Sequence, residues 1–192
     1  MKNILFPLVF LIGFFVIVFA LFIPSYNGFV NLEEDVNQSY AQIDNQLQRR
    51  QDLIPNLVET VRGFADQEQE VISSVTEARA NMAGANTVPE QAEADAELSG
   101  ALSRLLVVVE NYPELRSSEN FQQLSDELAG TENRIAVARQ DYNETVSEYN
   151  RRTRAFPGML VAGVFGFDQK PYFEADEGAS EVPEVEFGDD GE

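Results

Sequence analysis

The chain has no histidine and no cysteine. A Ser-His-Asp triad, a cysteine nucleophile and a His/Cys zinc site are therefore excluded together. Carboxylates and guanidinium groups are what remain for chemistry. Paired carboxylates can serve acid-base work or hold a hard cation. The acids here show no EF-hand spacing, and acids on helical surfaces read as a solvated face. Gly163-Val-Phe-Gly166 sits in an apolar context unlike any phosphate loop. The sequence thus predicts no catalytic residue, no metal site and no cofactor, and points away from an enzyme.

The informative polar residues are those that interrupt apolar stripes. Glu68 takes a core-stripe position, and Glu132 and Arg139 lie seven apart on one helical face. Arg49, Arg50 and Asp52 cluster just ahead of Asn56 and Glu59. One reading makes these residues ion pairs and caps that fix helix register, because a buried charge needs a partner. The other makes them a polar groove for a ligand, an ion or a protein. Tyr142-Asn143 and Tyr149-Asn150 repeat one heptad apart, which predicts rings packed inward with hydroxyls at the edge.

Long amphipathic helices must position these groups. Phe29, Leu32, Val36, Tyr40, Ile43 and Leu47 alternate spacings of three and four, the signature of one helical face. Pro55 predicts the end of that helix and the start of a second, striped by Ile54, Leu57, Val61, Phe64, Glu68, Val71, Val75, Ala78 and Met82 with Gly63 inside it. A loop follows from Gly84 to Pro89. Leu98, Leu102, Leu105, Val109 and Tyr112 mark a third helix, closed by Pro113. Ser117 or Ser118 caps a fourth, striped from Phe121 to Phe156, which counted from the cap has about 38 residues and spans some 57 Å. The fold class is all-α: an N-terminal transmembrane helix, then a long antiparallel four-helix bundle.

From Ile4 to Ile23 the chain carries no charge and is almost entirely Ile, Leu, Val and Phe. Twenty such residues rise about 30 Å, the thickness of a hydrocarbon core. Ile4, Leu11, Val18 and Ile23 mark its length, Pro7 falls in its first turns and Pro24 marks its exit. A cleaved signal peptide is the competing reading. The run is longer than an ordinary signal core, and no small-x-small site follows it. The expected organisation is an anchor over 1–24, a bundle over 25–173 and a disordered acidic tail over 174–192, where nine acids and no base occur. Lys2 precedes the anchor, whereas Glu33, Glu34 and Asp35 follow it. The positive-inside bias then places the N-terminus in the cytoplasm and the bundle outside a cell membrane spanned once. By helix count the fourth helix returns to the bilayer, where Met159, Leu160, Val164, Phe165 and Phe167 form an apolar stretch too short to span. That stretch either seals the open end of the bundle or touches the membrane interface.

A formal charge of −20, from 33 acids and 13 bases, argues against nucleic acid as a partner. Eleven of the bases are arginine. Excess acid with arginine favoured over lysine suits a halophile, since salt screens the self-repulsion.

Several separated motifs resemble the LemA family. The longest runs from Gln42-Ile-Asp-Asn-Gln-Leu-Gln-Arg-Arg-Gln-Asp-Leu-Ile-Pro-Asn-Leu to Gly63-Phe64. Tyr112-Pro-Glu-Leu, Asn120-Phe-Gln-Gln-Leu, Glu132-Asn-Arg-Ile, Tyr142-Asn143, Tyr149-Asn150, Phe156-Pro157 and Tyr172-Phe173 follow. The resemblance extends from the anchor to about Phe173 and departs at Tyr40, where members often carry Trp. It implies a membrane helix followed by a long antiparallel helical domain, and it implies no established catalysis. The expected role is a non-enzymatic scaffold or adaptor, with the bilayer and another membrane or envelope protein, such as a protease, as partners. A sensor built on the polar cluster, or a self-assembling membrane-shaping protein, are the alternatives.

Overall fold

The computed structural model describes the backbone of residues 2–65 and 67–174, and the side chains of these residues except 2–9, 14, 15, 17–19 and 21. The described residues form six helices and no strand: α1 (Lys2–Arg62), α2 (Gln69–Gly84), α3 (Val88–Val109), α4 (Pro113–Arg116), α5 (Glu119–Arg154) and α6 (Gly158–Phe165). Two compact units result. Among the described residues, one combines those up to Leu53 with Gln123–Tyr172, and the other combines those of Ile54–Gln122 with Phe173 and Glu174.

In the first unit α1 and α5 run antiparallel. Phe29 meets Tyr149, Tyr40 meets Tyr142, and Arg50 meets Glu132, so partner numbers fall along α5 as they rise along α1. The predicted stripes supply the core. Phe29, Val36, Ile43 and Leu47 are buried on α1, as are Ile135, Ala138, Tyr142, Val146 and Tyr149 on α5. Each of the larger aliphatic and phenylalanine side chains among them removes enough apolar surface from water to contribute about 1.5–3 kcal/mol. Beyond α5 the chain passes a cis Phe156–Pro157 bond and forms α6, which buries Gly158, Val161 and Ala162. Gly158 is required there, because an added Cβ would lie 2.4 Å from the carbonyl oxygen of Arg152.

The second unit packs the last turns of α1 (Ile54, Leu57, Val58, Val61) with α2 (Ile72, Val75, Ala78, Met82), α3 (Leu98, Ala101, Leu105, Val109) and Leu115 of α4. The helices α2 and α3 are antiparallel. Asn81 bonds Glu97 across the pair, and Gln67 and Glu68, just ahead of α2, both meet Tyr112 just beyond α3. A capping box starts α3. Thr87 Oγ1 accepts from the Glu90 amide, and the Glu90 carboxylate accepts from the Thr87 amide. The predicted loop therefore ends at Thr87, and Pro89 lies in the first helical turn, where its missing N–H costs little.

Several expectations are corrected. Pro55 does not end a helix, since α1 runs through it, as it does through Pro24. An interior proline costs roughly 3 kcal/mol, and burial of Leu57, Val58 and Val61 just past Pro55 offsets that cost. The break falls at Gly63 instead, so this glycine terminates a helix rather than sitting inside one. There the Phe64 and Ala65 amides both turn back to the Val61 carbonyl. The break resets the helical phase. Phe64 becomes exposed, and Ile72 rather than Val71 enters the core. Phe156 lies past the end of α5 and is 76% exposed, outside the stripe to which its spacing assigned it.

Among the described residues no helix is long and apolar enough to cross a membrane. The expected anchor falls largely on side chains outside the described set, Ile4 and Val18 included, whereas Leu11 and Ile23 are exposed. The expected disordered tail also lies outside the described residues beyond Glu174.

Candidate functional site

The polar residues singled out by sequence resolve into specific pairs. Arg50 is buried on α1, and its Nη1 lies 3.0 Å from Glu132 Oε2. That pair is a charge contact, out of line for a hydrogen bond. Burial lowers the Arg50 pKa from its ordinary value, and the Glu132 charge opposes that shift. Arg49 reaches Glu127 at 3.7 Å, with both side chains well exposed. Arg139 is half-buried on the same helix as Glu132.

The others make local bonds. Asp52 accepts from Gln48 one turn back, Glu59 pairs with Arg62, and Thr60 donates to the Asn56 carbonyl. Glu68 is not in a helical stripe at all. It stands at the start of α2 and accepts from the Tyr112 hydroxyl at 2.9 Å. Asp95, fully buried in α3, escaped the sequence reading. The signal was its position three residues ahead of Leu98, extending that apolar stripe backwards.

Among the described residues no group of three or more carboxylates is placed to hold a metal ion. Apolar packing and positive charge concentrate at one end of the first unit. There α6 reads Gly-Met-Leu-Val-Ala-Gly-Val-Phe, with no polar side chain. Its unburied face exposes Met159, Leu160, Val164 and Phe165. Phe165 and Phe167 pack on Tyr26, with ring centroids 4.9 and 5.7 Å away, and Phe167 stacks on Phe29 at 4.8 Å. The segment thus lies against α1 just past Ile23, where the uncharged run ends.

The last turn of α5 brings Arg151, Arg152 and Arg154 to this end. Arg151 pairs with Glu148, and Arg154 Nε donates to the Asn150 carbonyl. Arg152 has no carboxylate partner among the described residues. Its guanidinium lies 5.6 Å from the centre of the Phe29 ring and beside Gly28, where an added Cβ would fall 2.0 Å from Nη2. Only a residue without Cβ leaves room for this placement. Arg152, Pro24, Ser25 and residues 155–158 line a groove of about 310 Å³.

A short segment after α6 is pinned to α5. The Asn150 carboxamide donates to the Lys170 carbonyl and accepts from the Lys170 amide, both at 2.8 Å. The Tyr142 hydroxyl donates to the Pro171 carbonyl at 3.0 Å. Lys170 Nζ donates to Glu33 at 2.6 Å and lies 5.5 Å from the centre of the Tyr149 ring. Burial pushes the hydroxyls of Tyr142 and Tyr149 up to about 12, with lesser contributions from Tyr40 and from Glu33 and Asp168, respectively. The expected inward rings are present. Tyr149 Oη is buried without a hydrogen bond, however, rather than at the edge.

Residues 39–187 match the model of the LemA family. The match begins inside α1 and reaches into the acidic tail, later at both ends than the stretch from the anchor to Phe173. The chain is 28% identical over 181 residues to magnetosome protein MamQ 2 of Paramagnetospirillum magneticum, covering 81% of this chain and 66% of that protein. It is 26% identical over 174 residues to magnetosome protein MamQ of Magnetospirillum gryphiswaldense, covering 77% and 64%. It is 22% identical over 173 residues to protein LemA of Metamycoplasma hominis, covering 88% and 79%. The chain thus spans just under two thirds of the length of the MamQ relatives. With the family match covering well over half of its residues, the chain belongs to the LemA family.

Proposed function

We propose that this chain is a membrane-anchored, non-enzymatic scaffold of the LemA type. The uncharged run of α1 enters the bilayer of a cell membrane once, α6 rests at the interface, and the helical faces engage another membrane or envelope protein. The observation that carries this reading is α6. A helix apolar on every side belongs either in a core or against lipid, and this one buries only Gly158, Val161 and Ala162. Its exposed side chains adjoin the end of the Ile4–Ile23 run, so the two make one apolar region. The absence of His and Cys from the chain supports a non-enzymatic role. The names of the MamQ relatives, which refer to a structure and not to a reaction, are in keeping with it.

Lys2 ahead of the apolar run and three acids soon after it favour a cytoplasmic N-terminus with the helical units outside. The test is crosslinking in native membranes followed by purification of the full chain, with protease accessibility on intact cells. Retention of the chain in carbonate-washed membranes, protease cleavage from outside and one reproducible crosslinked membrane protein are expected. Release by carbonate would refute the anchor, and a clean monomer with no reproducible partner would refute the scaffold.

A further inference from the structure

The groove beside Arg152 has a cation on one side, an aromatic wall and an apolar helix next to it. Resting on the membrane reading above, we propose that this groove binds the phosphate of an anionic phospholipid headgroup, with Arg152 as its ligand. Phe156, Met159 and Leu160 then enter the adjoining acyl layer.

Four observations carry the assignment. Arg152 is half-buried, with no carboxylate partner among the described residues, in a chain whose acids outnumber its bases 33 to 13. A guanidinium in such a chain ordinarily finds a carboxylate, so its placement against Phe29 and Gly28 holds it ready for an external anion. The groove also contains Pro24 and Ser25, which directly follow the uncharged run, so its depth matches the headgroup layer of a bilayer that takes in residues 4–23. Phe156, on the groove wall, is 76% exposed, and Met159 and Leu160 are exposed beside it, an arrangement suited to acyl chains and not to water. Finally, Arg151, Arg152 and Arg154 reverse the sign of the chain's charge locally. A zwitterionic choline headgroup would set its own cation among these arginines. A headgroup with net negative charge would not.

The chain contains no tryptophan, so Phe156→Trp introduces a single tryptophan at the groove, excited selectively over the tyrosines at the red edge of the absorption band. The full-length Phe156→Trp chain is placed in nanodiscs with equal mole fractions of acyl-brominated phosphatidylglycerol or acyl-brominated phosphatidylcholine. Quenching by the brominated phosphatidylglycerol is expected to show a preference of about fivefold, the effect of one well-placed arginine at an anionic surface. Arg152→Gln brings the two lipids to equal quenching. Gly28→Ala does the same, because its Cβ evicts a flexible guanidinium without disturbing backbone, and it covers the case in which Arg152→Gln fails to fold. Arg151→Gln removes an equal charge outside the groove and keeps the preference.

Equal quenching by both lipids in the parent chain overturns the headgroup site and leaves the membrane reading standing. Absence of quenching by either lipid overturns both. A preference that survives Arg152→Gln, or is lost equally with Arg151→Gln, reduces the effect to diffuse charge and overturns the site. Inorganic phosphate that shifts the tryptophan emission in phosphatidylcholine nanodiscs would mark a free-anion site and overturn the lipid assignment.

Discussion

The Asn150 side chain takes both backbone hydrogen bonds of Lys170, acting toward it as a neighbouring strand would. A short irregular segment thereby satisfies its main chain without forming a sheet. Asn150→Ala leaves a partly buried amide and carbonyl unpaired and is expected to cost about 2–3 kcal/mol. Thermal unfolding of the full chain in detergent, followed by circular dichroism, measures the loss. Asn150→Asp keeps the acceptor and loses the donor, so an intermediate loss is expected. Equal stability of all three chains would remove the pin.

The two buried tyrosines should respond oppositely to loss of their hydroxyls. Tyr142→Phe forfeits the bond to Pro171 and is expected to cost about 1 kcal/mol. Tyr149→Phe deletes a buried oxygen with no hydrogen bond, so neutrality or a small gain is expected. The same unfolding assay ranks them.

Alkaline pH probes the same pair. Both hydroxyls are pushed up to about 12 in the folded chain from an ordinary value of 10. The neutral form is the one the fold favours, so this contribution is complete below pH 10. Above that the unfolded chain releases protons while the folded chain retains them, and stability falls toward pH 12. The melting temperature of the parent chain should therefore drop more steeply over this window than that of Tyr142→Phe/Tyr149→Phe. Parallel curves would assign the tyrosines no part in it.

The sequence made the apolar stripes legible because periodicity survives any tertiary arrangement. Phe29, Val36, Ile43 and Leu47 are buried as their spacing requires. Helix ends were legible only where the deciding interaction is local. The third helix ends ahead of Pro113 as read, although Pro113 itself opens the short α4, which the stripes did not show. Pro55, by contrast, is overridden by the burial of Leu57, Val58 and Val61, a contribution from other helices. Sequence flagged Arg50 and Glu132 separately. Pairing them needs the register between α1 and α5, which no single helix contains. Gly28 and Arg152 lie far apart in the chain and on no shared pattern, so their contact was invisible before the fold.

Two ion pairs that join α1 to α5, Arg50–Glu132 and Arg49–Glu127, should differ in coupling. Arg50 is almost wholly buried at 3.0 Å from its partner, whereas Arg49 and Glu127 are both exposed at 3.7 Å. Double-mutant cycles with alanine are expected to give about 1–2 kcal/mol for Arg50–Glu132, discounted for the half-exposed carboxylate, and under about 0.5 kcal/mol for Arg49–Glu127. Equal couplings would show that burial of Arg50 does not strengthen its pair.

Salt should stabilise the chain. A net charge of −20 opposes compaction, and added potassium chloride screens it. Melting temperature is expected to rise monotonically from low to molar salt. Full stability at low ionic strength with no further gain would count against a halophilic source.

Continuity of α1 across Pro24 has a mechanical consequence. With the uncharged run seated in a bilayer, the same helix leaves the headgroups and continues some 45 Å to Leu53. It is then a lever with its fulcrum at the lipid surface. A change in membrane thickness that tilts the embedded end by about 10° would sweep the far end sideways by roughly 8 Å, a displacement set by the 1.5 Å rise per residue. A partner gripping the distal turns would register bilayer thickness as motion.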